Sequence, residues 1–118
     1  MTHPLFRNAV THQDGFRDVD PMLLLEHKRE VRLIDVREPH EYVGELGHIE
    51  GAELVPLGTI AGTASGWERE KDIVMICRSG ARSAQASRNL VAMGFTRVMN
   101  LRGGMLAWNQ AKLPIVQP

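Results

Sequence analysis

Ile73-Val74-Met75-Ile76-Cys77-Arg78-Ser79-Gly80-Ala81-Arg82-Ser83 is the stretch on which the reading of this chain turns. Its first four residues form an unbroken apolar run between Asp72 and the Cys77-Arg78 step. A strand with one wet face alternates apolar and polar residues. An unbroken run instead suits a strand buried on both faces, as in the middle of a parallel sheet. A short loop rich in small residues follows, and then a helix over residues 83–93. Ala84, Ala86, Leu90, Val91 and Met93 give that helix an apolar face, and Gly94 stands where a C-cap belongs. Strand, tight loop and helix are the unit from which α/β sheets are built.

The flanking sequence repeats the alternation. Phe16-Arg17-Asp18-Val19 reads as a first short strand, and Asp20-Pro21 as the N-cap and first-turn proline of a helix running through Met22, Leu23, Leu24, Leu25 and Glu26. Val31-Arg32-Leu33-Ile34-Asp35-Val36 is a strand stopped by Glu38-Pro39, and Leu54-Val55-Pro56 a third, short one ended by proline. A glycine-rich connection spans residues 58–66 and leads to Trp67. Val98-Met99-Asn100-Leu101 is a fifth strand, and a final helix over residues 105–110 follows Gly103-Gly104. The expected fold is α/β, a mainly parallel five-stranded sheet with helices on both faces. Residues 1–15 carry weak apolar patterning and read as a loose N-terminal arm, with the domain proper over 16–118.

Composition excludes several classes. The chain has 118 residues, of which 43% are hydrophobic, too many for a disordered chain and enough for one core. Its 14 basic and 14 acidic side chains cancel, which argues against a polybasic nucleic-acid binder. The lone cysteine, Cys77, rules out an intramolecular disulfide, a CxxC pair and a multi-cysteine zinc site. No apolar run is long enough to span a membrane, so no membrane partner is expected. The start, Met1-Thr2-His3-Pro4, lacks the basic patch and apolar stretch of a secretory signal, so the cytoplasm is the expected address.

Open parallel sheets bind ligands at the carboxyl ends of their strands. Three polar clusters fall there: Asp35 to Arg37, Cys77 to Ser83, and Arg102 to Gly104. A cysteine closing an apolar strand is by itself an ordinary buried hydrophobe. The loop after Cys77 changes its meaning. Glycine and small side chains let backbone N–H groups converge into a nest that favours an anion, and the helix beyond adds its positive end. A thiol held there is drawn toward thiolate, the nucleophilic form. Arg78 and Arg82 are basic residues at a helix start, where they oppose the helix dipole, and a bound anion would explain their placement.

The loop Cys77-Arg78-Ser79-Gly80-Ala81-Arg82 resembles the active-site loop of single-domain rhodaneses, the thiosulfate sulfurtransferases. Ile34-Asp35-Val36-Arg37-Glu38 and Gly47-His48-Ile49-Glu50-Gly51-Ala52 are similar to two further family signatures. Leu101-Arg102-Gly103-Gly104-Met105-Leu106-Ala107-Trp108 resembles the family's closing segment, which packs beside the cysteine loop. The resemblance implies a two-step transfer. Cys77 takes a sulfane sulfur from a small donor such as thiosulfate, becomes a persulfide, and passes the sulfur to cyanide, a small thiol or a protein thiol. It also implies that Arg78, Ser79, Gly80, Ala81, Arg82 and Ser83 bind the substrate, with no cofactor. Glu50, Leu54 and Arg102 depart from the family pattern and bear on the mouth of the site.

The remaining candidates have plainer readings. Asp35 and Arg37 are expected to support the site as a carboxylate and its donor. His48 reads as a hydrogen-bonded turn residue, and Trp67 and Trp108 as packing residues. His3, His12, His27, His40 and His48 share no ligand spacing with the cysteine, so no metal is expected. Two rival functions are a non-catalytic binding module and a phosphatase or arsenate reductase. The second needs five residues between cysteine and arginine; Arg82 follows after four, and no resolving cysteine exists.

Overall fold

Strand β5 (Ile73–Ile76) is buried along its whole length, as an unbroken apolar run requires. It lies inside one six-stranded sheet with β1 (Val10–Thr11), β2 (Arg17–Val19), β3 (Arg32–Asp35), β4 (Glu53–Leu54) and β6 (Val98–Leu101). The order across the sheet is β1-β2-β6-β5-β3-β4, and every neighbouring pair is parallel except β1 with β2. The helices are α1 (Pro4–Asn8), α2 (Pro21–His27), α3 (Pro39–Tyr42), α4 (Ile60–Ala64), α5 (Ala81–Ala92) and α6 (Gly104–Gln110). This computed structural model describes residues 3–11 and 14–117.

The two-residue period of a strand sorts the core into two layers. Ile73, Met75 and Cys77 face one side with Ile34, Ile60, Ala64, Ala86 and Leu90, so α4 and α5 cover that face. Val74 and Ile76 face the other with Leu33, Met99, Leu24, Met105 and Trp108, which places α2 and α6 there. Helices on both faces of a mainly parallel sheet are therefore present as expected.

The strand count and several boundaries need correction. The sheet has six strands, not five, because Val10 pairs antiparallel with Asp18 at its edge. The segment expected to be a loose arm contributes α1 and β1, and Leu5 is completely buried. Arg17 fastens it: the guanidinium donates to the Phe6 carbonyl at 2.8 Å and lies 4.2 Å over the Phe6 ring. The glycine-rich connection holds α4, whose Ile60 and Ala64 lie one turn apart on the same buried side. Pro39 stops a strand and opens α3, where its missing N–H costs nothing. Helix α5 starts at Ala81, earlier than the apolar pattern suggests, with Gly80 as N-cap. Asp20 is the N-cap of α2 without a side-chain capping bond; it lies 3.7 Å from Arg102 instead. No helix among the described residues is long and apolar enough to cross a membrane.

Candidate active site

The carboxyl ends of β3, β5 and β6 lie side by side, bringing Asp35, Cys77 and Arg102 to one end of the sheet. Cys77 leaves β5 and is 1% exposed, with its Sγ accepting the Gly80 N–H at 3.0 Å. Gly80 can turn the chain this sharply because it sits at φ +102, a conformation that side-chain-bearing residues rarely adopt. Helix α5 begins at the next residue, and its first N–H groups have no acceptor within the helix.

Helix α6 shapes the loop from behind. Met105 N donates to the Cys77 carbonyl at 2.8 Å and Leu106 N to the Arg78 carbonyl at 2.9 Å. In a planar trans peptide the C=O and N–H point in opposite directions. Tying these two carbonyls to α6 therefore turns the N–H groups of Arg78 and Ser79 away from it. Gly104 makes the approach possible. A Cβ there would stand 2.5 Å and 2.6 Å from the carbonyl oxygens of Cys77 and Arg78.

The loop side chains divide by role. Ser83 is fully buried, and its Oγ lies 3.2 Å from Cys77 Sγ and 2.5 Å from Asn100 Oδ1. Arg82 makes two bonds to Glu41, at 2.6 Å and 2.7 Å. These bonds, more than any other cause, hold the Glu41 carboxyl down at about 2, and the same pairing raises Arg82 further. Arg78 and Ser79 are exposed. Arg78 lines a cavity of about 280 Å³ together with His40, Glu41, Glu45 and Leu46. The two loop arginines are thus unequal: one is clamped to a carboxylate and the other faces open space.

Asp35 and Arg37 form a buried pair at the end of β3, 0% and 1% exposed. Arg37 Nε donates to Asp35 Oδ1 at 2.9 Å and its Nη2 to Oδ2 at 2.8 Å. The remaining donors reach the carbonyls of Glu41 at 3.2 Å and Gly47 at 2.8 Å. One guanidinium thereby pins α3 and the turn after it, and α3 carries the Glu41 that grips Arg82. A buried ion pair with satisfied hydrogen bonds is costly to break, because removing one partner strands the other charge.

The rhodanese-like domain profile fits residues 20–111. The chain belongs to this family. A protein of Allochromatium vinosum named sulfurtransferase is 43% identical over 94 residues, covering 80% of this chain and 86% of that one. The thiosulfate sulfurtransferase GlpE of Pseudoalteromonas translucida is 35% identical over 89 residues, covering 75% of this chain and 83% of that one. A rhodanese-related protein of Thermoplasma volcanium superposes with a TM-score of 0.79 at 28% identity, covering 87% of this chain and all of the other. These relatives support a sulfurtransferase at the level of the family.

The other candidates of this rhodanese-like domain occupy structural places. His48 Nδ1 donates to the Tyr42 carbonyl at 2.9 Å, and its ring stacks on Tyr42 at 3.7 Å. Trp108 is fully buried and donates to Pro114 O at 2.9 Å, while Trp67 meets Phe95 edge-on. Glu50 does not border the site: it bonds Lys28 at 3.4 Å, just before β3 begins and at the far end of the sheet from Cys77. A larger cleft of about 470 Å³ lies at that end, lined by Arg29, Arg32, Glu53 and Lys71, with no cysteine, serine or threonine in its wall.

His12 lies outside the described residues. His3, His27 and Glu30 bring three ligating atoms within 4.8 Å of one another, a cluster that spacing along the chain does not reveal. His3 Nδ1 accepts the Leu5 N–H at 3.0 Å, which puts the proton of a neutral ring on Nε2, facing Glu30. A metal-bound imidazole needs the reverse, with its other nitrogen donating. The cluster is built as a proton-bridged clasp between α1 and the end of α2.

Two residues near the thiol escape the sequence reading. Glu41 has a signal, as the third helical residue of a capping box begun by Glu38. Asn100 has one as well, a polar residue inside the apolar strand Val98-Met99-Asn100-Leu101.

Proposed function

We propose that this chain is a thiosulfate-type sulfurtransferase that works through a persulfide on Cys77. The observation that carries the reading is the placement of Sγ, which receives the Gly80 N–H at 3.0 Å inside a loop whose carbonyls are tied back to α6. The thiolate attacks the outer sulfur of thiosulfate, the S–S bond of the donor breaks, and sulfite leaves with the bonding pair. The transferred sulfur stays on Sγ as an anion that the loop N–H groups can hold. A nucleophilic acceptor, such as cyanide, a small thiolate or a protein thiolate, then takes that sulfur and Cys77 leaves as thiolate.

In this reading Arg78 attracts the anionic donor, and the backbone from Ser79 to Ser83 supplies the cradle. Arg82 shapes the cradle from its bond to Glu41, with Asp35 and Arg37 supporting α3. Thiosulfate is the donor in one relative's name, and the exposed Arg78 suits an anion of that kind. A reducing, cytoplasmic setting suits a lone thiol nucleophile. A phosphatase fits less well, because the arginine that would grip a tetrahedral oxyanion is already paired with Glu41.

Incubation with thiosulfate followed by intact mass measurement tests the proposal. The expected product is the protein plus one sulfur atom, absent in Cys77→Ser. A wild-type protein that gains no sulfur from thiosulfate, polysulfide or a small persulfide would support the binding-module alternative.

A further inference from the structure

A line of polar atoms runs from β2 across β6 to the thiol. Asn100 Nδ2 on β6 donates to Asp18 Oδ1 on β2 at 3.1 Å and also faces the Gly80 carbonyl at 3.4 Å. Asp18 and Asn100 are direct partners in the β2–β6 register. Asn100 Oδ1 then meets Ser83 Oγ, which lies beside Cys77 Sγ. Asn100 is 5% exposed and Ser83 and Cys77 are 0% and 1% exposed, so no bulk water replaces a missing bond.

We infer that Asp18 is a positioning residue which, through Asn100 and Ser83, points the Ser83 hydroxyl proton away from Cys77 and disfavours the free thiolate. The inference rests on the proposed reading of Cys77 as the nucleophile.

The protons along this line can be counted. Both groups facing Asn100 Nδ2 are acceptors, so the amide must keep its Oδ1 toward Ser83. An amide oxygen only accepts, and Ser83 has a single hydroxyl proton, which this oxygen claims. The thiol form satisfies every atom: Cys77 S–H donates to Ser83 Oγ, Ser83 to Asn100 Oδ1, and Asn100 Nδ2 to Asp18. Once the thiol proton leaves to solvent, the chain of bonds fails. Either a Ser83 lone pair faces the sulfur anion, or Ser83 turns its proton to Sγ and sets two oxygens together without a hydrogen. An amide flip would repair this, but it would aim Asn100 Oδ1 at the Asp18 carboxylate and the Gly80 carbonyl. A sulfur-loaded Cys77 escapes the conflict, because its Sγ is then uncharged and Ser83 can keep donating to Asn100. The line of bonds therefore favours the resting thiol and the loaded state over the bare thiolate, against the pull of the Gly80 N–H.

Other charges face these groups. Around the thiol they are Arg78, Arg82 with Glu41, and Asp35 with Arg37; beside Asp18 along the chain they are Arg17 and Asp20, the latter with Arg102. All are retained in the variants that test the inference, which are Asp18→Asn, Asp18→Glu, Ser83→Ala and the double variant Asp18→Asn with Ser83→Ala.

The readout is the rate of iodoacetamide alkylation of Cys77 against pH, which needs no sulfur transfer. Asp18→Asn frees the amide to flip, and the alkylation midpoint should move down by roughly half a pH unit, about a threefold rate gain below the midpoint. In the Ser83→Ala background the same substitution should leave the midpoint unmoved, and Asp18→Glu should behave as wild type. A shift of equal size with and without Ser83 would show only the direct field of the Asp18 charge and overturn the inference. So would no shift, or a shift upward. Should Ser83→Ala not fold, molar salt makes the distinction: a field effect shrinks, whereas the hydrogen-bond effect persists. Sulfur loading of the wild type, followed by mass in parallel, separates the two ideas. A wild type that fails to load sinks the nucleophile reading, while the alkylation midpoints still report on Asp18.

Discussion

Arg78 and Arg82 flank the same glycine and carry the same charge, yet their surroundings give them different work. Arg82 is held by Glu41, and a charged group already paired at 2.6 Å and 2.7 Å has little left for a passing anion. Arg78 is exposed beside the cavity and free to meet one. Arg78→Ala should weaken use of thiosulfate by roughly 10- to 150-fold, the loss expected of one charge-assisted hydrogen bond, and spare an uncharged donor. Arg82→Ala should lower the use of both donors alike, because it releases α5 from α3. Steady-state kinetics with thiosulfate and with an organic polysulfide check this. Equal losses in Arg78→Ala would place that residue in loop folding instead.

The cysteine loop is held in shape by α6 as much as by its own sequence. Gly104→Ala would put a methyl group 2.5 Å and 2.6 Å from two carbonyl oxygens, at φ +58. The expected result is a loss of about 1–3 kcal/mol in thermal or denaturant unfolding, from overpacking and backbone strain, and at least a tenfold fall in sulfur transfer. Gly62→Ala is the control. It adds a methyl group to α4 with nothing within 4 Å, and should leave transfer unchanged and stability equal or higher by about 0.5–1 kcal/mol. Elements of this kind mark where sequence reading succeeds and stops. The run Ile73-Val74-Met75-Ile76 announces a central strand because burial on both faces leaves a direct mark on composition. Gly103-Gly104 announces a turn, and the family resemblance puts the segment beside the cysteine loop, but the two bonds to the Cys77 and Arg78 carbonyls join the ends of neighbouring strands far apart in the chain and leave no local mark. Helix α1 leaves no such mark because five residues give too few turns for a period, and its anchor, Arg17 on Phe6, joins segments that only the fold brings together. Glu41 reads locally as a surface acid; its partner Arg82 lies far along the chain.

Across the whole molecule, carboxylates paired with cations tie separate elements together: Glu41 joins α3 to α5, Glu53 joins β4 to β3 through Arg32, and Glu30 joins α2's end to His3. Each titrates below its ordinary 4.5 because of those partners, and Glu41 lies near 2. A carboxyl group lowered in the folded state stabilises it above the unfolded value and loses that contribution as pH falls through the folded value. Stability should therefore hold from neutral pH down to about 4.5 and then fall toward about 2. Glu41→Gln should flatten that slope, which denaturant unfolding at several pH values would show; an unchanged slope would remove Glu41 from the account. The most direct test concerns sulfur itself. Cys77 is the sole cysteine, so a sulfur taken from the donor cannot be discharged within the chain. Sulfite counted by rapid mixing with thiosulfate and no acceptor should stop at one equivalent per chain, leaving one sulfur on Cys77. Continuous sulfite release without an acceptor, or none until an acceptor is added, would contradict the persulfide route.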